Sequence, residues 1–231
     1  MATTTPTYGR PGWNKGRKLD RDVLSLDEVT ALMAACNKGA TGDRNRAIIA
    51  LMVRSGLRSS EVFGAPARGQ RTTPIPALRL KNIDANNHVI ALHDAKGNKS
   101  RTVGVDAGAL LYVERWVAHR KRLGLPATTP LFCQLDGSPL TRQAFGAAIA
   151  RAAERAGIDK RVHPHGLRHS HAAALAWAGV PMHAIQAQLG HSSLETTARY
   201  LGAIAPTQLV EAVAMVAWDG PAQDAHQGAT T

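Results

Sequence analysis

Cysteine is nearly absent from this chain: Cys36 and Cys133 are the whole complement, far apart and without the close spacing of zinc ligands. That excludes a disulfide scaffold and offers no zinc site. Aromatic residues are scarce at 4% of the sequence, while hydrophobic residues reach 44%. A core must therefore be assembled from Ala, Leu, Ile and Val, a composition suited to helices packed through small side chains. Apolar runs are short, and those at 47–53 and 172–180 fall well below the length of a bilayer span. The N-terminus has no apolar signal region, and no lipidation motif or strongly basic amphipathic helix marks a membrane surface. A reducing cytoplasm fits these absences.

Acidic residues are the other shortage. Seventeen Asp and Glu stand against 28 Lys and Arg, giving a net charge of +11 and a pI near 10.4. A field of that sign attracts polyanions, and nucleic acid is the commonest large one in a cell. Residues 1–21 are rich in Thr, Pro and Gly, carry Arg10, Lys15, Arg17 and Lys18, and lack apolar periodicity. They read as a flexible basic arm, tracking DNA phosphates or simply solvated. Residues 219–231 read as a disordered polar tail.

Between them, residues 22–218 read as one domain. Ser25 and Glu28 form a capping-box pair ahead of Leu26, Val29, Leu32 and Met33. A second helix starts at Thr41 or Asp43 and stops near Gly56, and a short one covers 59–63. Three strand-like stretches follow at 77–80, 88–92 and 101–105, the last two joined by a polar turn at 94–100. Helical patterns then occupy 106–123, 141–156, 164–178, 181–189, 194–200 and 206–218, with Gly124, Gly157, Gly179 and Gly190 as stop signals. The expected fold class is mainly α with a small antiparallel β-sheet (α+β).

Phosphodiester cleavage without a metal needs cationic donors aimed at the non-bridging oxygens, an in-line nucleophile, and an acid for the departing oxygen. Arg suits the clamp, because its planar fork makes two hydrogen bonds and stays charged. Arg58 follows the Gly56 junction, with Glu61 three residues on, close enough to share a helical face. In the run His163-Pro-His-Gly-Leu-Arg-His-Ser170, Pro164 suits the first helical position. His165 and Arg168 then lie one turn apart on one side, at a helix end that favours anions. The histidines around Arg168 lack the helical pairing with Asp or Glu that zinc hydrolases use, so no metal is expected. His191 falls on a turn after Gly190, and Tyr200 at the end of the next short helix. A phenol with an ordinary pKa near 10 needs a base or strong charge stabilisation to attack phosphate.

The ordered series GLRSSEV, AKGNKSR, HGLRH, LGHSS and TTARYL resembles the catalytic signature of the tyrosine recombinases, or phage integrases, across 24–201. The resemblance implies that family's catalytic-domain fold and a site-specific recombinase that cleaves and rejoins DNA without metal, ATP or other cofactor. Arg58 and Arg168 would clamp the scissile phosphate. Lys96, preceding Gly97 as in the family pattern, would protonate the 5′-oxygen leaving group, with Lys99 as the alternative on the same turn. His165 would activate or orient the tyrosine, and His191 would hydrogen-bond the phosphate. Glu61 would support the first arginine, and Tyr200 would form the 3′-phosphotyrosine bond. It also implies double-stranded DNA as partner and a homo-tetramer on DNA, with the helix at 206–218 docking on a neighbour or on its own domain. A prokaryotic nucleoid or mobile-element setting goes with it.

Two departures qualify the resemblance. Such recombinases carry a helical core-binding domain ahead of the catalytic one, where this chain has only the basic arm. An accessory protein supplying a clamp is one expectation that follows. A Pro/Gly-rich excursion at 63–76 also interrupts the usual pattern, with Arg68, Arg71 and Lys99 as further candidate DNA contacts. Type IB topoisomerase-like relaxation and a non-catalytic DNA-binding accessory role stand as the alternative functions.

Overall fold

The computed structural model describes residues 23–67, 73–93 and 100–190. The expected basic arm, polar tail, turn at 94–100 and two last helical patterns lie wholly or almost wholly outside those residues. Seven helices and a three-stranded sheet are seen among the described residues: α1 (Leu26–Ala34), α2 (Gly39–Ser55), α3 (Ser59–Phe63), β1 (Ile83–Asp84), β2 (Val89–His93), β3 (Ser100–Gly104), α4 (Ala107–Arg122), α5 (Arg142–Arg155), α6 (Pro164–Trp177) and α7 (Met182–Leu189). The mainly helical expectation with a small antiparallel sheet is met.

α2 is the organising element. Every residue from Ala47 to Val53 is buried, as expected of a helix that is apolar on all sides and covered on all sides. α4 and α6 pack along it, and α1 and α5 close its remaining flank. Trp116 of α4 is fully buried, and its indole N–H donates to the Leu131 carbonyl at 2.7 Å. That bond satisfies the one polar atom of a large apolar side chain. A second, smaller cluster of Ala172, Ile185 and Leu189 joins α6 to α7.

Helix starts follow the sequence closely. Ser25 caps α1 with the reciprocal Glu28 bonds of a capping box. Asp106 and Thr141 cap α4 and α5, accepting from Ala109 N–H and Ala144 N–H at 2.8 and 3.1 Å. α2 begins earlier than Thr41, at Gly39.

The sheet corrects one expectation. Its order is β1-β2-β3, antiparallel throughout, with Ile83 opposite Ile90 and Ile90 opposite Val103. The stretch 77–80 is not a strand of it. Leu78 there donates its N–H to the Glu61 carbonyl at 3.0 Å and accepts from Leu131 N–H at 2.7 Å. Its backbone is thus engaged with α3 and the 131 loop, and a turn of 3-10 helix at Leu80–Asn82 follows. The excursion after α3 is pinched at its base by reciprocal backbone bonds between Ala65 and Ile75, at 2.9 and 2.8 Å.

Gly56 ends α2 with φ +66, and a Cβ there would sit 2.5 Å from the His171 ring and 2.8 Å from Leu189. Both the left-handed backbone and the close approach demand glycine. Gly56→Ala is expected to lower stability by about 2–4 kcal/mol, the sum of left-handed strain and overpacking. Chemical denaturation against the wild-type chain measures it.

Candidate active site

Arg58 is the N-cap of α3. Glu61, at the third helical position, reaches back to the Arg58 backbone N–H at 2.7 Å and accepts from the Arg58 guanidinium at 3.1 Å. The pair is therefore joined across the helix start, and not side by side on a formed helical face. The other arm of the Arg58 guanidinium donates to the Gly190 carbonyl.

Arg168 is delivered from α6. His163 caps that helix, its Nδ1 accepting from Gly166 N–H at 3.1 Å, and Pro164 occupies the first turn. This matches the expected helix start and gives His163 a capping role that the spacing did not reveal. Arg168 is 2% exposed. Its guanidinium donates to the Gly56 carbonyl and to the Leu189 carbonyl, the latter at 2.6 Å. Two arginines far apart in sequence thus meet adjacent carbonyls, Leu189 and Gly190, at the end of α7.

His165 stands at the surface of the same helix start, its ring edge-on to His169 with centroids 4.1 Å apart. Partial burial, then the positive potential of His163 and Arg168, hold its pKa below the usual imidazole value. A neutral ring at pH 7 keeps a lone pair for accepting a proton.

Arg101, the last residue of AKGNKSR, and Gln188 join this cluster without a role in the motif reading. Arg101 donates to both Glu61 oxygens at 2.8 and 3.0 Å and to the Gln188 carbonyl at 2.7 Å. The Gln188 side chain bridges the Ser55 and Gly104 carbonyls at 3.2 and 2.9 Å. A signal for Arg101 was present: strand alternation puts it on the face of Val103 and Val105, both buried, where a charge needs a partner.

His171 is buried below Gly56. Its Nδ1–H donates to the Val53 carbonyl at 2.9 Å, which leaves Nε2 a lone pair with no hydrogen-bond partner among the described residues. Burial, reinforced by Arg168 and Arg54 against the opposing Val53 bond, pushes its pKa down to about 4.

Of the sequence candidates, the structure brings together Arg58, Glu61 and Arg168, with His165 on the same helix start as Arg168. Lys96, Lys99, His191, Tyr200, Arg10, Lys15, Arg17, Lys18, Arg68 and Arg71 lie outside the described residues. Among the described residues, no group of three His, Cys, Asp or Glu could hold a metal, and no helix is long and apolar enough to cross a membrane.

Known proteins resemble this chain in sequence and fold. The profile of the Phage integrase family matches residues 22–204. Tyrosine recombinase XerD of Bifidobacterium longum is 32% identical over 85% of the chain and 63% of its own length. Tyrosine recombinase XerC of Lactobacillus delbrueckii subsp. bulgaricus is 33% identical over 80% of the chain and 60% of its own length. The chain thus spans less than two thirds of these relatives. The XerH site-specific recombinase, solved in a post-cleavage complex with a palindromic difH substrate, superposes with a TM-score of 0.68. That match has 26% identity and covers 87% of this chain and 54% of XerH.

The His171 environment sets an acid-side stability profile. Its unfolded pKa is 6.5 and its folded value about 4, so between them the unfolded chain binds the extra proton. The contribution is whole above pH 6.5, declines as pH falls, and levels off below about 4. The difference is about 3 kcal/mol. His171→Phe should remove that part of the pH dependence, read as the change in the wild-type-minus-variant unfolding free energy between pH 7 and pH 4. An equal pH dependence in both proteins would contradict the assignment.

Proposed function

The chain belongs to the phage integrase family, and we propose that it is a site-specific DNA recombinase working through a 3′-phosphotyrosine intermediate. The observation that carries this reading is the convergence of Arg58 and Arg168 on the two carbonyls that immediately precede His191 in the chain. Two guanidiniums at one point suit a phosphate whose transition state crowds charge onto its non-bridging oxygens.

In the proposed reaction the Tyr200 phenol oxygen attacks phosphorus in line while Arg58 and Arg168 hold the equatorial oxygens and His191 adds a hydrogen bond. His165, kept neutral, accepts or orients the phenolic proton. Lys96, or Lys99 in its place, gives its proton to the departing 5′-oxygen. The phosphodiester is exchanged for a phosphotyrosine ester of similar energy, so a 5′-hydroxyl from a second strand reverses the step without ATP. Glu61 keeps Arg58 in place. Double-stranded DNA is the proposed substrate, and XerH, solved with its difH DNA, is a relative that supports this. Action as a homo-tetramer, with 206–218 docking on a neighbour and a DNA clamp from an accessory protein, extends the same proposal. So do a nucleoid or mobile-element setting and phosphate contacts by Arg10, Lys15, Arg17, Lys18, Arg68 and Arg71.

The test is covalent trapping on nicked DNA carrying the target site. The wild-type chain should form a protein–DNA adduct that maps to Tyr200, and Tyr200→Phe should form none. Binding to a verified site without any adduct overturns the proposal in favour of an accessory role, and relaxation of plasmids without recombinants favours a topoisomerase. Lys96→Ala should cleave slowly and recover on DNA with a 5′-bridging sulfur, whose departure needs no acid. Recovery of Lys99→Ala instead would transfer that role to Lys99.

A further inference from the structure

The structure assigns Arg101 as a positioning residue that fixes Arg58, through Glu61, to the end of α7. This rests on the recombinase reading above and gives a role to a residue that the motif reading left without one.

Glu61 is the shared partner. Its Oε1 accepts from the Arg58 guanidinium at 3.1 Å and from Arg101 Nη2 at 2.8 Å. Its Oε2 accepts from the Arg58 backbone N–H at 2.7 Å and from Arg101 Nη2 at 3.0 Å. The carboxylate, 10% exposed, is thus held from both sides. With its second arm on the Gln188 carbonyl at 2.7 Å, Arg101 ties the α3 start to the α7 end. Its stem lies against the Gly190 turn, where a Cβ would come within 2.8 Å of Arg101 Nε and where φ is +64. Arg101 therefore contacts the base under Arg58 and the turn that leads into His191 at the same time.

Two consequences follow from charge and geometry. A carboxylate paired with Arg58 alone would cancel that cation and draw its fork inward. With Arg101 present, Arg58 and Arg101 share the one carboxylate of Glu61, and among the described residues this pair keeps a positive excess for an incoming phosphate. Arg101 also bonds both the carboxylate and the Gln188 carbonyl within α7, doubling the tie that Arg58 makes through Glu61 and the Gly190 carbonyl. Its loss should leave the α3 start tied to the Gly190 turn by Arg58's own bond and let the Glu61 carboxylate and the Arg58 fork shift, and small misplacements of this kind are costly in a reaction that depends on alignment. A lysine cannot reproduce the span, since it lacks the planar fork that meets a carboxylate and a carbonyl together.

The experiment uses the full chain on nicked target DNA under single-turnover conditions, with DNA affinity measured at the same salt. Arg101→Met is expected to slow adduct formation by about 10- to 100-fold, while affinity changes by no more than about threefold, because no phosphate contact is removed. A 5′-bridging sulfur should leave this defect in place, unlike that of the leaving-group acid. Combined with Glu61→Gln, the loss should be smaller than the product of the two single losses, since both act through one carboxylate. Should Arg101→Met fail to fold by circular dichroism, Arg101→Lys decides, with a slower rate at unchanged affinity expected. A wild-type rate in the variant that folds, a loss appearing wholly as weaker DNA binding, or multiplicative losses with Glu61→Gln would overturn the assignment. Absence of any adduct from the wild-type chain would instead overturn the recombinase reading itself.

Discussion

Three guanidiniums on three successive carbonyls hold this domain's proposed chemistry together. Arg101, Arg168 and Arg58 donate to the carbonyls of Gln188, Leu189 and Gly190 in turn. These are the carbonyls that a helix end leaves without intrahelical partners, and they carry the negative end of the helix dipole. The constraint runs both ways. α7 finishes in a left-handed glycine that leaves room for Arg101 beside it, and Arg168 tolerates burial because the Gly56 and Leu189 carbonyls receive its fork. An unpaired guanidinium at that depth would cost several kcal/mol. α3, α6, α7 and β3 are fixed relative to one another by the same set of bonds, so the proposed phosphate clamp and the fold that supports it are one object.

That arrangement changes what the charge excess means. Several cations neutralise no polyanion. Arg44 is buried and donates to the Cys133 carbonyl and the Gln134 side chain, both at 3.0 Å. Arg120, also buried, gathers the carbonyls of Pro126, Pro130 and Leu131 into one fork. These arginines staple the connection between α4 and α5 onto the core. The excess charge is a sound indicator of a polyanionic partner, yet a share of it serves the protein's own carbonyls.

Much of the architecture was legible because it depends on local rules. Ser25 with Glu28, Pro164 at a helix start, and glycines at helix ends each act over a few residues, and each lands within a residue or two. The strand expected at 77–80 failed because its extended backbone is satisfied by Glu61 and Leu131, partners that no local pattern announces. Arg58 and Arg168 were legible from motif order, but their meeting at α7 was not, since it depends on Arg58 reaching Gly190, 132 residues away in sequence. Arg101 shows the intermediate case: its inward phase in an alternating strand is written in the sequence, while its partners are set only by the packed fold.

The central claim is that Arg58 and Arg168 meet a phosphate's negative charge in the transition state. It can be tested by replacing one non-bridging oxygen of the scissile phosphate with a methyl group, which removes that charge. On ordinary DNA, Arg168→Ala should lose on the order of 3 kcal/mol of transition-state stabilisation. On the neutral methylphosphonate the same variant should approach the wild-type rate, because there is little charge left to hold. An equal deficit on both substrates would mean that Arg168 serves only the fold, and the account of the clamp would be wrong.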